Sequence, residues 1–243
     1  MPAFPEDVEV LVIDSETRHI KPADAYRHVY EIVRAANAPH VYKKTDSTLR
    51  GNIGAELRAV LDAAGAGELM FVPALPKAGR TTAGGVQFVG GVPLAESDFS
   101  GDPFNPMRKS AVAEILKEQT DLGTRTIPKT EYSRVFTDDG RIAVFDAETD
   151  EDILRAGQAI KAAGKLRALA GCAGFAEALP ELIDFTRRET AFEKARGPAL
   201  LACGSLHPAS VAQTEYAIEC CGYAQIALDA RLLLGAEELD ATA

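Results

Sequence analysis

The chain has 243 residues, 47% of them hydrophobic, and carries 26 lysines and arginines against 36 aspartates and glutamates, a formal net charge of -10. Such a length builds a core that needs neither disulfides nor a structural metal, and at roughly 100–200 residues per domain it fills one large domain or two small ones. The negative global field disfavours nucleic acid and anionic membrane as partners, but does not exclude a small anion held by a local basic pocket.

From the start, Met1-Pro-Ala-Phe-Pro-Glu-Asp has neither the basic nor the apolar region of a secretory leader. No run reaches the roughly 18 apolar residues of a membrane helix. The four cysteines form no C-x-x-C, and none of the four histidines stands at ligand spacing from a cysteine. They read as reduced thiols in a cytoplasmic protein without a metal site.

Val8 to Ile13 reads as a buried strand. Pro22 to Ala36 follows as a helix, with Ala25, Val29, Ile32, Val33 and Ala36 at helical spacing and Pro22 in the first turn. His40–Lys43 is a short strand. Asn52 opens a helix with Ile53, Leu57, Val60, Leu61 and Ala64 on its inner face, and Leu69–Val72 is the next strand. The Gly90-Gly91 pair inside Gln87–Leu94 signals a hairpin. A helix over Ser110–Gln119, strands at Arg125–Ile127 and Arg141–Phe145, and a capping-box start at Thr149-Asp150-Glu151-Asp152 come next. Leu166–Ala170, Ala199–Cys203 and Tyr223–Leu228 complete the expected strands, and 128–140 and 186–197 are candidate linkers. Strands alternating with helices predict an α/β fold: a doubly wound, mostly parallel sheet with a β-hairpin insertion, ending in the start of a second α/β unit.

Ligands of doubly wound sheets bind beyond the carboxyl ends of the strands. Three successive exits there carry Arg18, then Lys43, Lys44 and Arg50, then Lys77 and Arg80, interleaved with hydroxyl side chains. Guanidinium forks bind carboxylate, and Asp, Ser and Thr hydrogen-bond hydroxyl groups, so the set suits a small polyhydroxylated anion. Lys43 is the weakest of the six, because strand alternation turns it away from Lys44. Asp46, beside Lys44 and Arg50, is expected to stay ionised and to accept a ligand hydroxyl. Gly51 permits close backbone approach, and the helix start at Asn52 directs N–H groups at an anion. Cys203-Gly204-Ser205-Leu206-His207-Pro208 is a weaker phosphate-site signal. There is no P-loop, no strand-linked G-x-G-x-x-G, no H-E-x-x-H and no G-x-S-x-G.

The run from Lys44 to Gly54, Lys-Thr-Asp-Ser-Thr-Leu-Arg-Gly-Asn-Ile-Gly, resembles the K-x-D-S-T-x-R-G-N-x-G signature of the four-carbon acid sugar kinases, which act on threonate and erythronate. Pro73 with Gly79-Arg80-Thr81, Gly90-Gly91-Val92-Pro93-Leu94, Asp102-Pro103 with Asn105-Pro106 and Ser110, Phe145-Asp146-Ala147 with Thr149-Asp150, and Gly204-Ser205 follow in the family's order. The resemblance implies ATP- and Mg²⁺-dependent phosphorylation of the terminal hydroxyl of a four-carbon sugar acid. It implies substrate binding by Arg18, Lys44, Thr45, Asp46, Ser47, Thr48, Arg50 and Arg80, with Gly204 and Ser205 on the ATP side and no assigned catalytic base. On this reading residues 1–197 are the sugar-acid-binding domain and 198–243 the beginning of a nucleotide-binding unit. Two departures stand out: the family's initial A-D-D-x-T-G-A segment and its Gly-Gly phosphate loop have no counterpart here. The chain is therefore expected to turn over no ATP alone, and to act within a homo-oligomer or beside a separate nucleotide-binding chain. The alternative is a non-catalytic sugar-acid-binding or regulatory protein of the same descent.

Overall fold

Leu69, Met70, Phe71 and Val72 follow one another in sequence and are all fully buried, the pattern of a strand covered on both faces. The computed structural model describes residues 8–102, 104–133, 139–186, 197–204 and 208–228. It divides into two compact units, Met1–Arg188 and Glu189–Ala243. In the first, strands β1 (Val41–Lys44) and β2 (Glu68–Val72) are joined by helix α2 (Ile53–Ala64), and helix α1 (Pro22–Ala36) precedes them. Strands β3 (Arg80–Ala83), β4 (Val86–Val89) and β5 (Val92–Pro93) then form the insertion. After it come helix α3 (Val112–Lys117), strands β6 (Thr124–Ile127) and β7 (Arg141–Phe145), helix α4 (Asp150–Ala162), strand β8 (Ala168–Gly171) and helix α5 (Ala173–Leu182).

Five of these strands form one parallel sheet in the order β1-β8-β2-β7-β6. Leu69, Phe71, Ile142, Val144, Ala168 and Ala170 face Val29 of α1, Leu57 and Val60 of α2, and Leu116 of α3. Met70, Val72, Ala143, Phe145 and Leu169 face Ile153 and Ile160 of α4 and Phe175 of α5. The sheet is thus wound on both faces, as the alternating pattern predicts. Neighbouring β1 and β8 lead to α2 on one face and α5 on the other. That divergence makes a crevice at their carboxyl ends, where α/β sheets take ligands.

Local chemistry accounts for the element ends. Pro22 sits in the first turn of α1, and the helix stops at Asn37 in the left-handed region. The Thr149 side chain accepts from the Asp152 N–H while the Asp152 carboxylate accepts from the Thr149 N–H, a complete capping box for α4. Thr149→Ala is expected to cost about 1 kcal/mol, read as the shift in the chemical-denaturation midpoint at unchanged slope.

The hairpin at Gly90-Gly91 joins β4 and β5, and it belongs to a three-stranded antiparallel sheet β3-β4-β5. Arg80, expected on a strand exit, instead begins the strand β3. Gly84 and Gly85, both at positive φ, turn the chain between β3 and β4. Their N–H groups donate to the Asp146 carboxylate at 2.7 and 2.8 Å, and Thr82 bridges Ala147 through two backbone hydrogen bonds. Burial pushes the Asp146 carboxyl up, against the pull of those two N–H donors.

Three expected strands do not form. Val8–Ile13, Ala199–Cys203 and Tyr223–Leu228 are irregular, and Val12, Leu200 and Ile226 are 87%, 91% and 83% exposed. An apolar run becomes a strand only when a neighbouring strand takes its N–H and C=O groups, and none of these segments pairs with a strand among the described residues. The described part of the second unit contains helix α6 (Pro208–Cys221). Among the described residues, no helix is long and apolar enough to cross a membrane.

Candidate ligand site

The loop from Thr45 to Asn52 leaves β1 at the crevice and closes on itself through one carboxylate. Asp46 Oδ2 accepts from the Thr48 hydroxyl at 2.6 Å, the Thr48 N–H at 3.2 Å and Arg50 Nε at 2.9 Å. Asp46 Oδ1 accepts from Arg50 Nη2 at 3.2 Å and Arg18 Nη2 at 3.0 Å. Leu49 at φ 60 and Gly51 at φ 92 give the bend that brings Arg50 back over Asp46. A β-carbon at Gly51 would stand 3.0 Å from the Arg18 Cγ, so glycine there lets Arg18 lie against the loop. The hairpin sheet supports the loop from the side: Gln87 Nε2 donates to the Ser47 carbonyl at 3.1 Å, and Thr82 donates to Gln87.

Burial by itself raises the Asp46 carboxyl. Hydrogen bonds from Arg50 and Thr48, with the charges of Arg50 and Arg18, outweigh that effect and hold it well below the usual carboxylate range. A carboxyl depressed in the folded state stabilises the fold above its unfolded pKa of about 3.9, and that contribution is lost as the pH falls. The stability gap between the wild type and Asp46→Asn is therefore expected to be full at neutral pH and to narrow below about pH 4. Denaturation midpoints across an acid pH series measure it.

Arg50 is held at both ends. Its Nη1 donates to Asp102 Oδ2 at 2.9 Å, and Asp102 Oδ1 accepts from the N–H groups of Phe104 and Asn105. The Arg50 guanidinium carbon lies 5.1 Å from the centre of the Phe99 ring, and that of Arg80 lies 5.7 Å from the same ring. Two arginines 30 positions apart in sequence thus meet on one aromatic surface. An open cleft of about 550 Å³, lined by Arg18, His19, Gly51, Asn52, Phe104 and Asn105 among others, adjoins them.

The structure sorts the six basic exit residues three ways. Arg18, Arg50 and Arg80 are brought together through Asp46 and Phe99. Lys44 is exposed at the end of β1. Lys43 and Lys77 are committed elsewhere: Lys43 pairs with Glu56 at 2.9 Å, and Lys77 with Glu177 at 2.5 Å. Thr45 and Thr48 are buried, at 2% and 1% exposure. Thr48 serves Asp46, while the Thr45 N–H donates to the Gly171 carbonyl at 2.7 Å and joins the loop to the end of β8. Ser47 is half-buried. Gly204 lies in exposed irregular backbone of the second unit, and Ser205 lies outside the described residues. Among the described residues no group of three or more His, Cys, Asp or Glu side chains is arranged to hold a metal ion.

Asp102, Phe99 and Glu56 are parts of this arrangement that no local pattern marks as such. Asp102 stands inside a matched motif without a role, and Asn52 opens α2 as expected but makes no side-chain cap hydrogen bond, its amide turning instead to the Thr17 and Ile20 carbonyls. Phe99 and Glu56 carried no signal, because their partners are distant in sequence.

The profile of a family described as "Sugar-binding N-terminal domain" matches residues 2–179. The chain is 34% identical over 231 residues to D-threonate kinase of Salmonella typhimurium, covering 90% of this chain and 53% of that protein. It is 36% identical over 160 residues to D-erythronate kinase of Heliobacterium modesticaldum, covering 60% and 36%. It is 34% identical over 231 residues to 3-oxo-tetronate kinase of Burkholderia multivorans, covering 85% and 53%. The chain thus spans about half the length of the curated relatives it matches. Among solved structures, a domain of unknown function from Bordetella bronchiseptica, a domain-swapped dimer with bound citrate, superposes with a TM-score of 0.60 at 31% identity, covering 69% of this chain and 43% of that one. A putative tRNA synthase from Salmonella typhimurium superposes with a TM-score of 0.65 at 26% identity, covering 74% and 46%.

Proposed function

Because this chain belongs to the family of sugar-binding N-terminal domains, we propose that it binds a four-carbon sugar acid of the threonate, erythronate or 3-oxo-tetronate type and presents its terminal hydroxyl for phosphorylation. The observation that carries the reading is the convergence of Arg18 and Arg50 on Asp46 at a sheet crevice, with Arg80 beside them on Phe99. Asp46 and Asp102 hold Arg50 rigid, so its guanidinium needs little reorganisation to meet an incoming carboxylate. Exposed Lys44 and half-buried Ser47 add a cation and a hydroxyl from the same loop. Citrate, itself a hydroxy acid, accompanies the Bordetella neighbour and fits this ligand class.

Arg18, Lys44, Ser47, Arg50 and Arg80 are the proposed ligand contacts. Asp46, Thr45 and Thr48 act behind them: Asp46 aligns the two arginines, Thr48 holds Asp46, and Thr45 fixes the loop to β8. Phosphoryl transfer relies on positioning and charge neutralisation more than on a strong nucleophile, which suits a site rich in fixed cations. ATP with Mg²⁺ enters the proposal through the kinase names of the relatives, with Gly204–Ser205 and the 198–243 segment as the nucleotide side of residues 1–197. A dimer, as in the Bordetella neighbour, and a cytoplasmic setting belong to the same proposal.

Thermal melts with D-threonate, D-erythronate and 3-oxo-tetronate test it, with the uncharged four-carbon polyols as controls. The acids are expected to raise the melting temperature and the polyols to leave it unchanged. Equal shifts from acids and polyols, or none from either, would contradict the reading.

A further inference from the structure

The inner face of α2 is apolar at Ile53, Leu57, Val60 and Leu61, yet it also buries the carboxylate of Glu56, which is 5% exposed. Desolvating a carboxylate costs free energy that an apolar side chain would not. Both Glu56 oxygens are engaged. Oε1 accepts from the Thr17 hydroxyl, and Oε2 lies 2.9 Å from Lys43 Nζ. Thr17 is itself 2% exposed, and its Oγ1 also meets Ser15 Oγ at 2.9 Å.

The same helix start holds the segment at two further points. Asn52 Nδ2 donates to the Thr17 carbonyl and to the Ile20 carbonyl, at 2.7 Å each. Arg18 lies between these anchored positions, its stem against Gly51. Its side chain is 44% exposed and reaches Asp46 at 3.0 Å. A long exposed arginine would otherwise sample many rotamers, and holding one conformation costs about 2 kcal/mol of side-chain entropy.

We infer that Glu56 is the positioning residue for Arg18: through Thr17 it fixes the Asp14–Ile20 segment so that the guanidinium stands at Asp46 before the ligand arrives. The inference rests on the reading that this site takes a sugar acid. Glu56 touches no ligand, and Lys43 balances its charge so that the carboxylate can stay buried and hold Thr17.

Two variants separate positioning from plain stabilisation. Lys43→Met with Glu56→Leu replaces the ion pair by apolar groups, a change that often leaves stability intact. Thr17→Val removes only the hydroxyl, and Thr17→Ser restores it. Each variant's dissociation constant for D-threonate is measured calorimetrically on the full chain, well below its melting temperature. Both Lys43→Met/Glu56→Leu and Thr17→Val are expected to weaken binding about tenfold, Thr17→Ser to recover it, and Thr17→Val to cause no further loss in an Arg18→Ala background, because coupled residues are not additive. Unchanged affinity in folded variants, or full additivity with Arg18→Ala, would overturn the inference. Trypsin cleavage after Arg18 gives a ligand-free readout, expected to quicken several-fold in both variants. Equal cleavage rates would likewise overturn it. If the wild type binds no four-carbon acid, the functional reading fails, and the cleavage rates alone decide whether Glu56 fixes Arg18.

Discussion

Asp46→Ala is expected to abolish the stabilisation of the chain by four-carbon acids and to cost about 2–3 kcal/mol of folding free energy in their absence. One side chain accounts for both effects. Asp46 accepts from Arg18, Thr48 and Arg50, so its removal frees the Arg18 guanidinium, leaves Arg50 held by Asp102 alone, and removes the charge that screens the two cations from each other. Arg50→Ala is expected to abolish the ligand shift as well, because it strips the fork held between Asp46 and Asp102. Lys77→Ala serves as the contrast, since Lys77 is an exposed lysine paired with Glu177, and it should leave the ligand shift intact. Melts with and without D-threonate measure all three. A ligand shift that survives in Asp46→Ala, or disappears in Lys77→Ala, would contradict the site assignment.

The second large effect lies in the framework. At Gly171, the last residue of β8, a β-carbon would stand 2.5 Å from the Val72 carbonyl oxygen, 2.8 Å from the Tyr42 hydroxyl and 2.9 Å from the Phe175 Cβ. Two of those obstacles belong to packed elements that do not rotate away, so Gly171→Ala must part β8 from β2 or from α5. Overpacking of this kind costs typically about 1–3 kcal/mol, and the backbone obstacle places this case at the upper end. At about 2–4 °C per kcal/mol for a chain of this size, the melting temperature should fall by about 6–12 °C. The Gly171 carbonyl also receives the Thr45 N–H, so ligand affinity is expected to drop with it. A melting temperature equal to that of the wild type would show that the sheet yields more readily than its close packing implies.

The Lys44–Gly54 block was legible because its chemistry is local. Asp46, Thr48 and Arg50 lie within one turn of chain, and the glycine that lets them close is in the same run. The parallel sheet was legible for a related reason, since the double-sided burial of Leu69–Val72 and the capping box at Thr149 are written in adjacent residues. What escaped depends on residues far apart. Glu56 meets Thr17 across 39 positions and Asp102 meets Arg50 across 52, and no periodicity announces such a pair. Lys43 and Lys77 looked like ligand cations because their counter-ions, Glu56 and Glu177, belong to other elements. Val8–Ile13, Ala199–Cys203 and Tyr223–Leu228 failed as strands for the same reason, because a strand depends on a neighbour that its own sequence does not contain. β3 escaped because Gly84-Gly85 is a second turn signal close to the more obvious Gly90-Gly91.

The central claim is that an otherwise acidic chain concentrates Arg18, Arg50 and Arg80 at one crevice to take the carboxylate of a four-carbon sugar acid. Calorimetric titration of the full chain with D-threonate and D-erythronate tests it most directly. The expected result is saturable binding of at least one of the acids at a single site per chain, weakened by added salt and lost in Arg50→Ala. No heat from either acid at millimolar concentration, or binding that Arg50→Ala leaves unchanged, would contradict it.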